Sequence, residues 1–344
     1  MMNAMRKCYG IPCLALNTMR LSTSQLIRPE LRGRDFVNGD FTPSELKSVL
    51  WTAVDLRDRS TQKNENFSYM RGKSVTILQE SGMPDTLSNV ALVTAAHRLG
   101  GNVARMAFDS NKTDVSDLAN CLSEVSSVIA VSCRHQAALQ AAADGAAVPV
   151  VSLGSEQHDP LTALGELLAV LEHYSYLKRL TLAWVGPCCA RLRSFLQLLP
   201  PLGIHLRYCC PQEEDLSPEE LGDLVGRTVQ HHTQFSRHES AAEATYRAHV
   251  LATTCHQYDQ LQITEKHAAE ADLDWTFVQD LPVSRSAVAA AVHGDRQRSL
   301  VAASAGCRHW LATALLTELC AEHERRTDRP DFEGERRGVG IGSG

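Results

Sequence analysis

Short apolar stretches that alternate with longer helical stretches are the feature that most constrains this chain of 344 residues. The predicted strands are "GKSVTIL", "VSSVIAVSC", "AVPVVSL", "KRLTLAWVG", "IHLRYCC", "AHVLATTC" and "DWTFVQDLP". Strands that are joined through helices pair in parallel and are covered on both faces. We therefore predict an α/β fold with two doubly wound parallel-sheet domains, joined by a long helix that follows Asp159. Ligands of such folds bind where strands run into helices, in the cleft between domains.

The two ends of the chain differ in composition from its middle. Residues 1–29 contain no Asp or Glu but include Arg6, Lys7, Arg20 and Arg28. This composition is typical of a mitochondrial transit peptide, which we predict at residues 1–30, and a basic leader without targeting meaning is the alternative. The first domain is then expected at 31–165, the second at 166–300 and a last helix at 301–325. Residues 326–344 are charged and then glycine-rich, which predicts a disordered tail.

Composition argues against several classes of partner. The net charge of −6 does not favour a nucleic-acid partner, and no apolar run is long enough to span a bilayer. The eleven cysteines show no C-x-x-C spacing and indicate reduced thiols. A group of three histidines, His231, His232 and His238, has no further ligand at a recognisable spacing, so a solvated surface is favoured over a metal site. We expect neither a metal nor a cofactor.

Several phrases, in the order in which they occur, resemble the ornithine carbamoyltransferase family. They are "LRGRDF", "GKS", "LGG", "LEHYSYLKRLTLAWVG", "DWTF" followed by "LP", "RSLV" and "RHW", and they cover roughly residues 31 to 320. The resemblance implies a carbamoyl-phosphate-type first domain, an ornithine-type second domain and a C-terminal helix that returns to the first domain. It also implies a homotrimer in the mitochondrial matrix that makes citrulline from carbamoyl phosphate and ornithine, in the urea cycle and arginine metabolism. These phrases are mostly scaffold, so they speak for the fold more than for the activity.

The family's carbamoyl-phosphate site is degenerate in this chain. The family holds the phosphate with a Ser-Thr-Arg-Thr-Arg turn at a helix N-terminus, where the helix dipole and two guanidinium groups act together. Aligned by the resemblance, that motif falls on Asp85, Thr86, Leu87, Ser88 and Asn89, so both arginines are absent. A further family arginine falls on Ser132, while a late arginine is retained as Arg308. Asp85 is expected to repel an anion, and Asp85 or Thr86 is expected to cap the helix instead.

The remaining family motifs are degenerate as well. His-Pro-x-Gln, which polarises the carbamoyl carbonyl, falls on residues 159–162, so Asp159 and Thr162 replace its His and Gln. In His-Cys-Leu-Pro the first two residues become Gln279 and Asp280. The ancestral ornithine positions are Cys189, Thr254, Tyr258 and Asp259, and the aspartate and serine that hold ornithine in the family are missing. No S-T-R-T-R, H-P-x-Q or H-C-L-P occurs elsewhere in the chain, so a shift of register does not explain the losses.

These losses lead to one main hypothesis and two alternatives. The main hypothesis is a pseudoenzyme with an interaction or regulatory role, as a homotrimer or in mixed trimers with an active relative. The first alternative is a cleft repurposed for an amine or cation, made acidic by Asp85, Asp159 and Asp280. Against it stands the interpretation that these three acids simply face water. The second alternative is residual carbamoyl transfer supported by Arg308 and the helix dipole.

Overall fold

The structure is a computed structural model, and it describes residue 31, residues 35–38 and residues 40–335. The predicted transit peptide at residues 1–30 therefore lies outside the described residues. No helix within the described ranges is long and apolar enough to cross a membrane.

The first sheet has four parallel strands in the order β2-β1-β3-β4. The strands are β1 Ser74–Glu80, β2 Asn102–Phe108, β3 Val128–Ser132 and β4 Val150–Ser152. Four helices belong to this domain: α1 Pro43–Lys63, α2 Leu87–Arg98, α3 Val115–Ser123 and α4 Gln136–Gly145. The sequence patterns do not predict β2, because it is an edge strand in which only Phe108 is fully buried.

The second sheet has five parallel strands in the order β7-β6-β5-β8-β9. The strands are β5 Thr181–Val185, β6 His205–Cys209, β7 Phe235–Arg237, β8 Val250–Thr253 and β9 Thr276–Gln279. Its helices are α6 Ala190–Leu198, α7 Pro218–Gln230, α8 Ala241–Thr245, α9 Glu265–Glu270 and α10 Ala290–Gly294. The predicted fold class, two parallel-sheet α/β domains, is confirmed.

Local sequence signals set where several helices begin. Thr42 and Ser217 cap α1 and α7, and each forms a capping box with the glutamate three residues later, Glu45 and Glu220. In both helices a proline follows the cap, at a position where the missing N–H has no intrahelical partner to lose. These caps satisfy backbone donors that helix starts otherwise leave unpaired.

Two long helices connect the domains. They are α5 Pro160–Tyr174, which follows the first sheet, and α11 Val301–Cys320, which packs against α1, α2 and α5. Gly165 of α5 lies so close to α11 that an added Cβ would stand 3.1 Å from both the Cα and the Cβ of Arg308. The missing side chain therefore lets α5 approach Arg308, and this approach brings the N-terminal half of α11 to the cleft.

The segment after α11, residues 321–335, is ordered where the sequence predicts a disordered tail from residue 326. Phe332 is buried, and its carbonyl accepts hydrogen bonds from the backbone N–H groups of Leu177 and Lys178. Closer to α11, the backbone N–H groups of Arg326 and Thr327 donate to Asp55 of α1. The prediction of a disordered tail is wrong for residues 326–335. A few contacts with residues distant in the chain order this segment, although its overall hydrophobicity is low. Residues 336–344 lie outside the described ranges.

Candidate ligand-binding cleft

The turn before α2, where the resemblance places a phosphate site, is a capped helix start. Thr86 is the N-cap residue, and its side-chain oxygen accepts a hydrogen bond from the backbone N–H of Asn89. Leu87, at the first helical position, is 36% exposed. Ser88 is buried and lies 3.4 Å from the hydroxyl of Thr162 on α5. The turn thus carries a helix N-terminus but neither of the two guanidinium groups that reinforce it in the family.

Asp85 in this turn is ion-paired. Its Oδ1 accepts from Nη1 of Arg105 on the neighbouring strand β2 at 2.7 Å, and both side chains are exposed. Asn89 donates to the same carboxylate at 3.3 Å. Sequence patterns alone did not single out Arg105, because β2 itself was not predicted. The repulsion expected from Asp85 is therefore reduced by a neighbouring positive charge.

Ser132 lies at the carboxyl end of β3, where the family has an arginine. Its side chain is buried, and its hydroxyl makes no hydrogen bond with any described residue. Arg134, two residues later, is exposed and donates its backbone N–H to Glu80 Oε2. A buried serine supplies no positive charge to the cleft.

Arg308, the retained family arginine, is paired with an acid of its own chain. Its Nη2 donates to Asp280 Oδ1 at 3.1 Å. The Arg308 side chain is 3% exposed and that of Asp280 is 33% exposed, so the guanidinium is buried and the carboxylate is partly open to solvent. Asp280 therefore neutralises Arg308, which the resemblance aligns with an arginine of the family's substrate site.

The start of α5 adds a second acid close to this pair. Asp159 is the N-cap residue of α5, and its Oδ1 accepts from the backbone N–H of Thr162 at 3.3 Å. Burial raises the pKa of Asp159, and the nearby Arg308 opposes that rise. His158, one residue earlier, lines a different cavity together with Arg193. Asp159 and Thr162 therefore act within the chain as a helix cap.

Glu166 and Arg191 form a buried ion pair beneath the cleft that sequence reasoning missed. Their side chains are 2.7 Å apart, and Arg191 also donates to the carbonyl of Thr253 at the end of β8. Burial raises the pKa of Glu166 to about 7, against the effect of Arg191. Neither residue belongs to a motif, and both sit inside helices, so only spatial proximity identifies them.

The four ancestral ornithine positions differ in burial and in local contacts. Cys189 precedes α6 and makes no side-chain capping bond, and Thr254 is half-buried after β8. The Tyr258 hydroxyl donates to Glu214 at 2.8 Å, while Asp259 is exposed. Among the described residues, no hydrogen bond joins these four side chains to one another.

A cavity of about 480 Å³ lies between the start of α2, the end of β9 and the N-terminal half of α11. Among its lining residues are Leu87, Gln279, Asp280 and Arg308, which come from two of the degenerate motifs and from the retained arginine. Gln279 is 1% exposed, and neither atom of its amide group is hydrogen-bonded within the described chain. The structure therefore gathers these sequence-predicted positions around one cavity. Within the described ranges no group of three or more His, Cys, Asp or Glu residues is placed to hold a metal.

The proteins that this chain resembles in sequence are carbamoyltransferases. The family model "Aspartate/ornithine carbamoyltransferase, carbamoyl-P binding domain" matches residues 34–172. The chain is 26% identical over 324 residues to the mitochondrial ornithine carbamoyltransferase of Aquarana catesbeiana, covering 88% of this chain and 91% of that protein. It is 28% identical over 323 residues to the mitochondrial ornithine transcarbamylase of Gallus gallus, covering 88% of this chain and 90% of that protein.

The fold is shared with solved structures at lower identity. The ornithine carbamoyltransferase from Pyrococcus furiosus matches with a TM-score of 0.79 at 20% identity, over 84% of this chain and 98% of that one. Aspartate transcarbamoylase from Trypanosoma cruzi, solved with carbamoyl aspartate and phosphate, matches with a TM-score of 0.75 at 19% identity, over 86% of this chain and 98% of that one. At these identities the likeness speaks for the fold alone.

Proposed function

We propose that the chain is a non-catalytic member of the aspartate/ornithine carbamoyltransferase family, with an interaction or regulatory role. One observation carries the proposal: Arg308 is held by Asp280 at 3.1 Å. A substrate would have to displace this carboxylate before it could use the guanidinium. Residues 85–89 offer no second guanidinium to compensate, because Leu87 and Asn89 stand at the two arginine positions.

The expected loss of substrate binding is large. Hydrogen bonds to charged groups contribute about 1.5–3 kcal/mol each, so the two absent arginines remove roughly 3–6 kcal/mol of phosphate binding before any coupling. The ion pair at Arg308 adds to this loss. The helix N-terminus at Thr86 remains, but a helix dipole contributes only about 0.3–1 kcal/mol at an exposed site. Residual carbamoyl transfer is therefore disfavoured.

The alternative of an amine or cation in an acidic cleft is also disfavoured by the contacts. Asp85 is paired with Arg105, and Asp280 is paired with Arg308. Asp159 caps α5, and burial raises its pKa. Each of the three acids that suggested this alternative thus already has a partner within the chain, so no concentrated negative charge is left for a cation.

We propose self-association as a trimer, or mixed trimers with an active relative, through the edge of the first sheet. Edge strand β2 is largely exposed, and Met106 on it is 44% exposed. Val90 and Leu87 on α2 add exposed apolar surface in the same domain. An exposed strand edge offers unpaired backbone groups to another chain, and contiguous exposed apolar patches mark interaction sites. Light scattering on the purified chain, and co-purification with an active carbamoyltransferase, test the two forms of assembly.

We also propose import into the mitochondrial matrix with removal of residues 1–30. The names of two relatives include the word mitochondrial, and residues 1–29 have transit-peptide composition. Fractionation of expressing cells and N-terminal sequencing of the mature chain test this proposal. A chain that remains in the cytosol with its first residues intact would contradict it.

The test of the main proposal is a citrulline assay on the purified chain with saturating carbamoyl phosphate and ornithine. An active family member, purified in the same way, serves as the positive control. We expect no turnover above the rate without protein. Turnover near that of the control enzyme would refute the proposal, since a paired Arg308 and an arginine-free turn could not then be limiting.

A further inference from the structure

The cavity between α2, β9 and α11 contains polar groups that the chain itself leaves without hydrogen bonds. Both amide atoms of Gln279 are in this state, and so are Nε of Arg308 and Nδ1 of His293. All three residues line the cavity of about 480 Å³. A buried polar group without a partner is costly, so native proteins almost always satisfy such groups. Four unsatisfied atoms around one cavity therefore point to a polar ligand.

The geometry of Gln279 restricts the chemistry of that ligand. A primary amide has one acceptor oxygen and two N–H donors on the same planar group. Its natural complement is a second amide, which accepts and donates along the same edge. A carboxylate can accept from the N–H groups but has no donor for the oxygen, and an ammonium group can only donate.

Charges on the cavity wall are balanced. Asp280 and Asp295 contribute two negative charges, and Arg296 and Arg308 contribute two positive charges. Such a wall favours a ligand that carries one positive and one negative group and has no net charge. A ligand with a net charge would be repelled by one pair of wall charges as strongly as it is attracted by the other. A zwitterion meets this condition, and the cavity volume lies within the range of small-molecule sites.

We propose that this cavity binds a free amino acid whose side chain ends in a primary carboxamide. The ligand carboxamide pairs with Gln279, and the zwitterionic end lies against a wall in which Asp280 and Arg308 already neutralise each other. This inference rests on the proposed function, in that a cleft without carbamoyl transfer is free to act as a binding or sensing site.

Isothermal titration calorimetry on the full chain tests the proposal with four probes. L-Glutamine and L-asparagine carry the carboxamide, and L-glutamate and L-aspartate are their matched controls of nearly equal size. We expect saturable binding of at least one carboxamide, with at least about tenfold weaker binding of the matching acid, as expected when a buried amide oxygen loses its donor. No binding of either carboxamide, or equal binding of acid and amide, would overturn the proposal.

Variants locate the site. Gln279→Met keeps the length of the side chain and removes the amide, so it is expected to weaken binding at least about tenfold without lowering the melting temperature. Gln197→Met is the matched control, because Gln197 on α6 also has a buried unbonded Oε1 but lines a different cavity. Gln279→Leu serves if the Met variant fails to fold.

The outcomes separate this inference from the proposed function. Unchanged binding by a folded Gln279 variant would overturn the assignment of the site, whatever the citrulline assay gives. Turnover in the citrulline assay would refute the non-catalytic role, while the calorimetric result would still report on the cavity.

Discussion

Replacing Asp280 by Asn tests the contact on which the proposed function depends. Asn keeps the shape and an acceptor oxygen but removes the charge that faces Arg308. Two unit charges 3.1 Å apart interact by about 5 kcal/mol at an effective dielectric of ~20. Solvent reaches a third of the Asp280 side chain, and Asp159 remains near Arg308. We therefore expect the free energy of unfolding to fall by about 2 kcal/mol, less than for a fully buried pair.

The same change is expected to expose Arg308 to anions. Without the competing carboxylate, inorganic phosphate should bind at least about tenfold more tightly, which corresponds to about 1.4 kcal/mol. Urea denaturation measures the stability, and calorimetric titration with phosphate measures the affinity. Citrulline turnover is still expected to be absent, because residues 85–89 contain no arginine.

Two further variants of the chain serve as controls for Asp280→Asn. Asp295→Asn is the matched control, since Asp295 lines the same cavity but accepts its hydrogen bonds from the backbone N–H groups of Gln297 and Arg298. The double variant of Asp280→Asn with Arg308→Met yields the coupling energy of the pair. A stability change of Asp280→Asn within about 0.5 kcal/mol, together with unchanged phosphate affinity, would refute the reasoning that Asp280 restrains Arg308.

Three other predictions follow from packing and burial. Gly165→Val should lower the free energy of unfolding by about 2 kcal/mol or more, because even a Cβ added at this position would stand only 3.1 Å from Arg308. An unchanged urea midpoint would contradict the close approach of α5 and α11. Phe332→Ala should cost about 3 kcal/mol and make residues 321–335 sensitive to protease, since the ring is buried; equal cleavage rates would contradict that. Burial lowers the pKa of His309 and His323, so the unfolded chain binds protons first as the pH falls. Stability should decrease below about pH 6.5, and His323→Gln should reduce that decrease in urea titrations.

Much of the fold could be predicted because its signals are local. Alternating strands and helices, the capping box at Thr42 and the Ser217–Pro218 start of α7 each lie within a few residues. Strand β2 escaped prediction because an exposed edge strand lacks the apolar run of a buried one. The ordered segment at 321–335 escaped because its burial depends on Phe332 and on partners such as Asp55, far away in the chain.

The candidate site also has features that the sequence shows and features that only the tertiary structure shows. Sequence alone determined which chemical groups are absent, since no arginine occurs in residues 85–89 and an aspartate stands at position 280. Only the tertiary structure decided what the present groups do. Asp280 holds Arg308 across 28 positions, and Asp85 meets Arg105 across 20. The physical reason is that composition fixes the available charges, whereas their energies depend on distances and burial that only the packed chain defines.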